Sequence, residues 1–253
     1  GIDADQAGAQ AVRLKAPMPV DRIPGFADGV VSVQDAGAQL AAQALDARDG
    51  MRVLDACAAP GGKTDHILEL ANVELIALES DAERVTRIGQ NLTRLKLNAD
   101  IKVGDAGDPS QWLVRRRAVR PHSRGRAVLG VGHREIGYCG ARRGTAPHSE
   151  CAVAARREGR RIAYVTCLIF PEEGEEQARW FGSLHEDAVR LDAPGQLLPV
   201  AAPREANQSA AQDSPDGTNT STSEMPRAGQ SSNRPASAFA DYDGFFYARF
   251  QKR

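Results

Sequence analysis

An α/β fold, built on a mostly parallel sheet with helices on both faces, is what this sequence predicts, and three observations predict it. Short apolar runs alternate with helical stretches from Met51 to Val103; the first two runs end in an acid; and a bend of small residues follows the first. Met51-Arg52-Val53-Leu54-Asp55 is the first strand, followed by the small-residue turn Cys57 to Gly62 and a helix from Lys63 to about Leu70. Val73 to Leu78 is a second buried-type strand ending at Glu79. Asp81 to Leu97 places Val85, Ile88, Leu92 and Leu95 on one helix face, at spacings of three and four. Ile101-Lys102-Val103 is a third strand, stopping at Gly104-Asp105.

The rhythm resumes after residue 160. Arg161 to Cys167 reads as a strand, Pro171 opens a Glu-rich helix to about His185, and Ala188 to Leu191 is a further strand. Ala201 to about Ser237 is rich in Ser, Asn, Thr, Gln, Pro and Ala, and has too little apolar surface to offset its ordering entropy. Phe245 to Phe250 closes the domain as a strand. The organisation expected is therefore a lead-in over residues 1–50, a core over 51–200 with an aberrant stretch at 113–160, a disordered insertion over 201–240, and a closing strand within 241–253.

Composition narrows the setting. The chain has 253 residues, 42% of them hydrophobic and 26% charged, which is enough for one sizeable domain or two small ones. No apolar run reaches the roughly 20 residues of a spanning helix, and the first residues lack a secretory pattern, so a cytoplasmic, non-membrane protein is expected. The four cysteines, Cys57, Cys139, Cys151 and Cys167, form no CxxC pair, which argues against a disulfide scaffold and against a zinc or other metal site. The formal net charge of −1 conceals an uneven distribution: thirteen Arg, no Lys and three acids lie between Leu113 and Arg161, whereas Glu dominates Pro171 to Asp187.

The bend Asp55-Ala56-Cys57-Ala58-Ala59-Pro60-Gly61-Gly62-Lys63-Thr64 lets the backbone approach a ligand at a helix N-terminus. Three ligands compete for it. A phosphate loop fits Gly62-Lys63-Thr64 but finds Cys57 where its first Gly belongs, and no convincing magnesium-binding strand follows. A dinucleotide fingerprint is absent. S-adenosylmethionine needs a tight turn against its amino acid end and an acid for its ribose; Glu79 stands at that place, and Asp105 is placed to meet the adenine. Taken singly, each of these acids reads equally well as a cap or loop residue.

The ten-residue bend is similar to the cofactor motif of the RNA 5-methylcytosine methyltransferases, the Nop/Sun superfamily. Three further strings agree: Pro24-Gly25-Phe26 to Gln34-Asp35, Tyr164-Val165-Thr166-Cys167 with Pro171-Glu172-Glu173, and Asp243-Gly244-Phe245-Phe246-Tyr247-Ala248. Their order and spacing resemble the ribosomal small-subunit methyltransferase B (Sun/Fmu) branch. The resemblance implies a Rossmann-like S-adenosylmethionine-dependent fold acting on carbon 5 of a cytosine in 16S ribosomal RNA. It assigns the cofactor to Cys57, Ala58, Ala59, Pro60, Gly61, Gly62, Lys63, Glu79 and Asp105, and the nucleophile to Cys167. It also implies a preceding helical RNA-binding domain, so the chain is expected to be the C-terminal portion of a monomeric enzyme that works on ribosomal RNA.

The chemistry explains the thiol. Carbon 5 of cytosine is a weak nucleophile, and adding a thiolate at carbon 6 raises its electron density. A thiol of pKa ~8.5 is mostly protonated at neutral pH, so a cation or donor close to it is expected. Leu168 departs from the small polar residue that usually follows. Cys57 reads as a packing residue of the bend, without chemistry.

A second motif of the family, Asp-x-Pro-Cys after the fourth strand, has no counterpart here. Its Asp would hold the base and its Cys would help expel the first thiol. Leu113 to Arg160 stands in its place, with one apolar run, Val128-Leu129-Gly130-Val131. Two accounts suit this: a basic loop serving RNA phosphates, or a local reading-frame error in a GC-rich gene. Either leaves a core strand and a helix missing from the middle of the sheet, with cofactor binding surviving and turnover impaired. The opposing reading is an inactive remnant that binds RNA or S-adenosylmethionine.

Overall fold

In the computed structural model the described residues are 1–7, 10–106, 108–112, 126–132 as backbone, 161–167, 169–199 and 244–253. The elements in order are β1 (Ala4–Gln6), β2 (Val12–Leu14), α1 (Ala36–Leu45), β3 (Arg52–Asp55), α2 (Gly62–Leu70), β4 (Glu74–Glu79), α3 (Ala82–Leu95), β5 (Asp100–Val103), α4 (Pro109–Trp112), β6 (Arg126–Gly132), β7 (Arg161–Thr166), α5 (Glu175–Leu184), β8 (Ala188–Leu197) and β9 (Phe245–Lys252). The main sheet has seven strands in the order β5-β4-β3-β6-β7-β9-β8. The first five run parallel, whereas β9 is antiparallel to both β7 and β8. From β3 the chain steps outward to β4 and β5, then returns to β6 on the other side of β3. The switch point of the sheet therefore lies between β3 and β6, the place where open α/β sheets bind ligands at their strand carboxyl ends.

Sequence periodicity explains the layers. On β9, Phe245 and Tyr247 join the core under α1, while Phe246, Ala248 and Phe250 face the α5 side with Ile162, Ala178 and Phe181. Alternate residues thus serve opposite cores, which is why this strand is nearly all apolar. Below the other face, Ala38, Ala41, Ala42 and Leu45 of α1 pack with Val53, Ile67, Leu75, Ile88 and Leu92. Asp35 caps α1, its Oδ1 accepting from the N–H of Gly37 at 2.6 Å, and Asp81 caps α3 in the same way at the N–H of Glu83.

Several expectations change. The central sheet is not missing a strand, because Arg126–Gly132 fills the fourth slot, parallel to β3 on one side and β7 on the other. A gap there would leave two apolar strands with unpaired edges, and the run at Val128–Val131 is the segment able to close it. The helix opened by Pro171 is a single 3-10 turn over Pro171–Glu173, broken at Gly174 before α5 begins. β8 extends beyond Leu191 to Leu197, across a register shift between Leu191 and Gly195. The β1–β2 hairpin is unanticipated. The expected insertion over 201–240 lies outside the described residues, as do Cys139 and Cys151.

Candidate active site

Asp55 ends β3 fully buried, and the hydroxyl of Thr64 donates to its Oδ2 at 2.7 Å. Its Oδ1 has no partner of hydrogen-bond geometry among the described residues. Burial raises the Asp55 pKa, against the lowering effect of Thr64 and of the Lys63 ammonium. Between these two ends the bend is tied down carbonyl by carbonyl. Ala58 O accepts from Gly61 N at 2.7 Å, and Gly61 O from Asp65 N at 2.8 Å. Ala59 O accepts from Arg84 Nη2 at 3.1 Å, and Pro60 O from Asn91 Nδ2 at 2.8 Å. Gln34 Nε2 donates to Gly62 O at 3.2 Å. Five consecutive carbonyls therefore have donors, and the Ala59–Pro60 peptide is cis.

Glu79, 2% exposed at the end of β4, fastens the same bend. Its Oε2 accepts from Ala59 N at 3.3 Å, and its Oε1 from Asp81 N at 3.1 Å, with Arg84 beside it. Cys57 is half-buried, and burial, then the charges of Glu79 and Asp55, push its thiol up to about 12. Its thiol is thereby held protonated within the bend. Asp105 follows β5 half-exposed, with its backbone N–H bonded to Gln111 Oε1 and its carbonyl to Trp112 Nε1.

Gly61 adopts φ +114, a region that side chains rarely enter, and has no side-chain cap to offer α2. A Cβ at Gly62 would approach only Gln34 Nε2, at 3.8 Å, so the backbone there stands open. Uncapped N–H groups at a helix start, a lysine beside them and open glycine backbone suit the carboxylate of an amino acid moiety. The residues present thus fit the amino acid end of S-adenosylmethionine. Gly61, Gly62 and Lys63 would hold that end, and Cys57, Ala58, Ala59 and Pro60 would form the wall beside it.

Cys167 follows directly on β7, half-buried against the core under α1. The sheet register locates it. Asp55 pairs with Leu129 on β6, and Leu129 pairs with Ala163 on β7. Cys167 therefore lies two strands across, about 10 Å, and four residues further toward the carboxyl edge, about 13 Å. Both the bend and the thiol open on the same edge of the sheet. Between them lies the end of β6, where Gly130, Val131 and Gly132 pair with Tyr164, Val165 and Thr166. Among the described residues, the part of β6 nearest Cys167 is thus the backbone of Gly130, Val131 and Gly132. Thr166 is fully buried, with its Oγ1 unpartnered among the described residues.

Residues that sequence reasoning passed over tie the lead-in to the bend. Arg94 of α3 donates through Nη1 to Phe26 O and Val31 O, both at 2.9 Å, and its guanidinium lies 4.2 Å over the Phe26 ring. Arg84, Asn91 and Arg94 fall on one polar stripe of α3, seven and three residues apart, and that spacing was the available signal.

Comparison with known proteins accords with this geometry. A family model described as 16S rRNA methyltransferase RsmB/F matches residues 42–120. The ribosomal RNA small subunit methyltransferase B of Cronobacter sakazakii is 40% identical over 200 residues, covering 73% of this chain and 46% of that protein. The protein of the same name from Serratia proteamaculans is 39% identical over 204 residues, covering 75% and 47%. The chain belongs to the RsmB/F methyltransferase family. It spans about half the length of these relatives. A crystal structure of a methyltransferase homologue from Pyrococcus horikoshii superposes with a TM-score of 0.64 at 20% identity, covering all of this chain and 79% of the other, and shares the fold. No helix among the described residues is long and apolar enough to cross a membrane, and no group of three potential metal ligands occurs among them.

Proposed function

We propose that this chain methylates carbon 5 of a cytosine in small-subunit ribosomal RNA, with Cys167 as the nucleophile. The observation that carries the reading is the shared carboxyl edge: an open, uncapped helix start after β3 and a thiol after β7 flank the switch point of one sheet. S-adenosylmethionine, bound at the bend, supplies a methyl group on a sulfonium. The Cys167 thiolate adds to carbon 6, forming a carbon–sulfur bond and moving an electron pair onto carbon 5. Carbon 5 would then take the methyl group, the donor leaving as a neutral thioether with the electron pair of the broken bond. Loss of the carbon 5 proton to water then returns the electron pair to the ring and expels the Cys167 thiolate.

The bend contributes position. Its carbonyls are fixed before any ligand arrives, so little ordering cost falls on binding. Glu79 and Asp105 follow β4 and β5 on the same edge, where ribose and adenine would lie. A target cytosine inside an RNA helix is hidden from such a site, so a looped or extruded base is the substrate.

A second reading, a binding remnant without turnover, is favoured by one observation: the Gly-Val-Gly end of β6 beside Cys167. Calorimetric titration with S-adenosylmethionine, run beside a methyl-transfer assay on ribosomal RNA, separates the two. The titration is expected to show one site and the assay slow turnover that disappears in Cys167→Ala. Undiminished turnover in Cys167→Ala would overturn the nucleophile. If millimolar ATP raises the melting temperature and S-adenosylmethionine does not, the bend is a phosphate loop after all.

A further inference from the structure

The carboxyl edge carries apolar side chains that the proposed chemistry does not use. Thr166 on β7 pairs with Phe246 on β9, and Leu197 on β8 pairs with Phe245. Cys167, Gly244 and Leu198 therefore flank three neighbouring strands on one edge. Ile169 and Pro199 meet over Gly244, where a Cβ would lie 2.4 Å from Ile169 Cγ2 and 3.6 Å from Pro199 Cδ. Ile169, Phe170 and Leu198 form the apolar shelf so built, and they are 47%, 46% and 56% exposed. Contiguous exposed apolar groups beside a candidate nucleophile mark a contact surface.

Phe170 differs from the rest of the shelf. Among the exposed large apolar side chains of the described residues it carries the one aromatic ring. Its backbone is held on both sides. Ile169 before it is seated on Gly244, and after it Phe170 O accepts from Glu173 N at 3.1 Å, closing the 3-10 turn over Pro171–Glu173. Tyr164 OH of β7 donates to Glu173 O at 2.7 Å. Gly174 lies so close to the Phe246 ring that a Cβ would come within 2.9 Å of it. The ring thus stands on fixed backbone, and a partner that covers it meets little ordering cost.

The neighbouring charges select what covers it. Glu172 and Glu173 follow Pro171, and Glu175 and Glu176 open α5, so the phosphates of a nucleic acid strand are repelled here. An aromatic face needs no charge, and the bases of unpaired RNA stack on such rings whatever their sequence. Three residues span at most about 10 Å, which places the ring within reach of a nucleotide adjoining the base that Cys167 would take. A base extruded for reaction breaks its own stack, and its neighbour is left with an open face.

We propose that Phe170 is the stacking platform for an unpaired RNA base next to the target cytosine, with Ile169 and Leu198 as its apolar rim. The inference rests on the methylation reading for the identity of the strand. Phe170 acts on the neighbouring nucleotide, and through it on the entry of the target base, so it is a positioning residue and not a catalytic one.

The test is binding of the full chain to single-stranded RNA oligonucleotides that carry one cytosine, with 2-aminopurine, a fluorescent base quenched by stacking, placed before it or after it. Quenching from one of these two positions is expected with the parent chain. Phe170→Ala should abolish that quenching and raise the dissociation constant about 5- to 150-fold, the effect of losing one base–aromatic stack. Phe170→Trp should restore both, and Phe170→Leu should not, since it keeps apolar area without a ring face. S-adenosylmethionine affinity and the melting temperature should be unchanged in all three variants, which separates stacking from folding. Equal binding by Phe170→Leu and the parent, retained quenching in Phe170→Ala, a parallel loss of S-adenosylmethionine affinity, or no RNA binding by the parent overturns the proposal. So does a parent chain that dimerises while Phe170→Ala stays monomeric, which would give the shelf to a second copy. The binding readouts need no methyl transfer. Undiminished turnover in Cys167→Ala sinks the nucleophile and leaves the stack as a contact to RNA, whereas retained quenching in Phe170→Ala sinks the stack and leaves the nucleophile.

Discussion

On the β3–β4–β5 side of the switch point, five successive carbonyls from Ala58 to Gly62 have donors, three of them side chains reaching from α3 and the lead-in. On the β6–β7 side, the edge next to Cys167 is backbone of Gly130, Val131 and Gly132. One half of the edge has its bend fixed carbonyl by carbonyl, and the other carries the Cys167 thiol. Binding and turnover should therefore respond separately to change, and substitutions on the two sides can show whether they do.

The largest effect is expected at the thiol of the second half. Cys167→Ala should lower methyl transfer by about 100-fold or more, at least the scale that one positioned catalytic group supplies. The S-adenosylmethionine dissociation constant should stay within a factor of about three, since each 1.4 kcal/mol is tenfold and no group of the bend changes. A fall in affinity equal to the fall in turnover would show that the halves are not separable.

Gly61→Ala comes next, on the first half alone. A Cβ there meets nothing closer than Ile88 Cα at 3.5 Å, so the penalty lies in the backbone at φ +114. Such strain costs about 1–3 kcal/mol, which weakens cofactor binding roughly 5- to 150-fold. Unchanged affinity by calorimetry would mean that the helix start is not the binding element.

Asp65 links the first half to pH. It lies in the first turn of α2, 4% exposed, and burial, then Glu69, raise its pKa to about 7, with Arg94 opposing. An acid whose folded pKa exceeds its unfolded value of about 3.9 binds more protons when folded, so stability falls as pH rises between the two and the loss is complete above about 7. Asp65→Asn removes that dependence. Its melting temperature should match the parent at pH 4 and exceed it at pH 8 by a few degrees, corresponding to about 1 kcal/mol or more. A constant difference across this range would place the effect elsewhere.

How much of this was legible in the sequence depends on range. β3, the bend, β4 and the apolar face of α3 followed from neighbours within a few residues, and so did the strand leading to Cys167. The groups that fix the bend and the lead-in did not: Arg84, Asn91 and Arg94 meet partners 25, 31 and 68 residues away. Glu79 was expected beside a ligand ribose, and its hydrogen bonds from Ala59 N and Asp81 N were not visible in the sequence, because a buried carboxylate takes the nearest donors. β6 was visible only as the apolar run Val128–Val131, and its pairing follows from the unfilled slot between β3 and β7 and not from its own composition. The β1–β2 hairpin, three residues a strand and largely exposed, carries no alternation to find.

The smallest effect sets the floor for the comparison. Arg190 of β8 pairs with Glu175 of α5 through both guanidinium nitrogens, at 2.7 and 2.6 Å, and the pair holds the Glu175 carboxyl below its usual range. Their side chains are 41% and 33% exposed, on the far side of the sheet from the bend. Water screens such a pair and both long side chains lose rotamer freedom in forming it, so Arg190→Ala should cost no more than about 1 kcal/mol. The melting temperature should fall slightly, and less so at high salt, because the Debye length shortens to roughly 3 Å at 1 M. S-adenosylmethionine affinity should not change at all. A measurable loss of affinity in this variant would mean that the β8 edge is mechanically coupled to the bend across three intervening strands, and the division of the sheet into a binding half and a reacting half would have to be withdrawn.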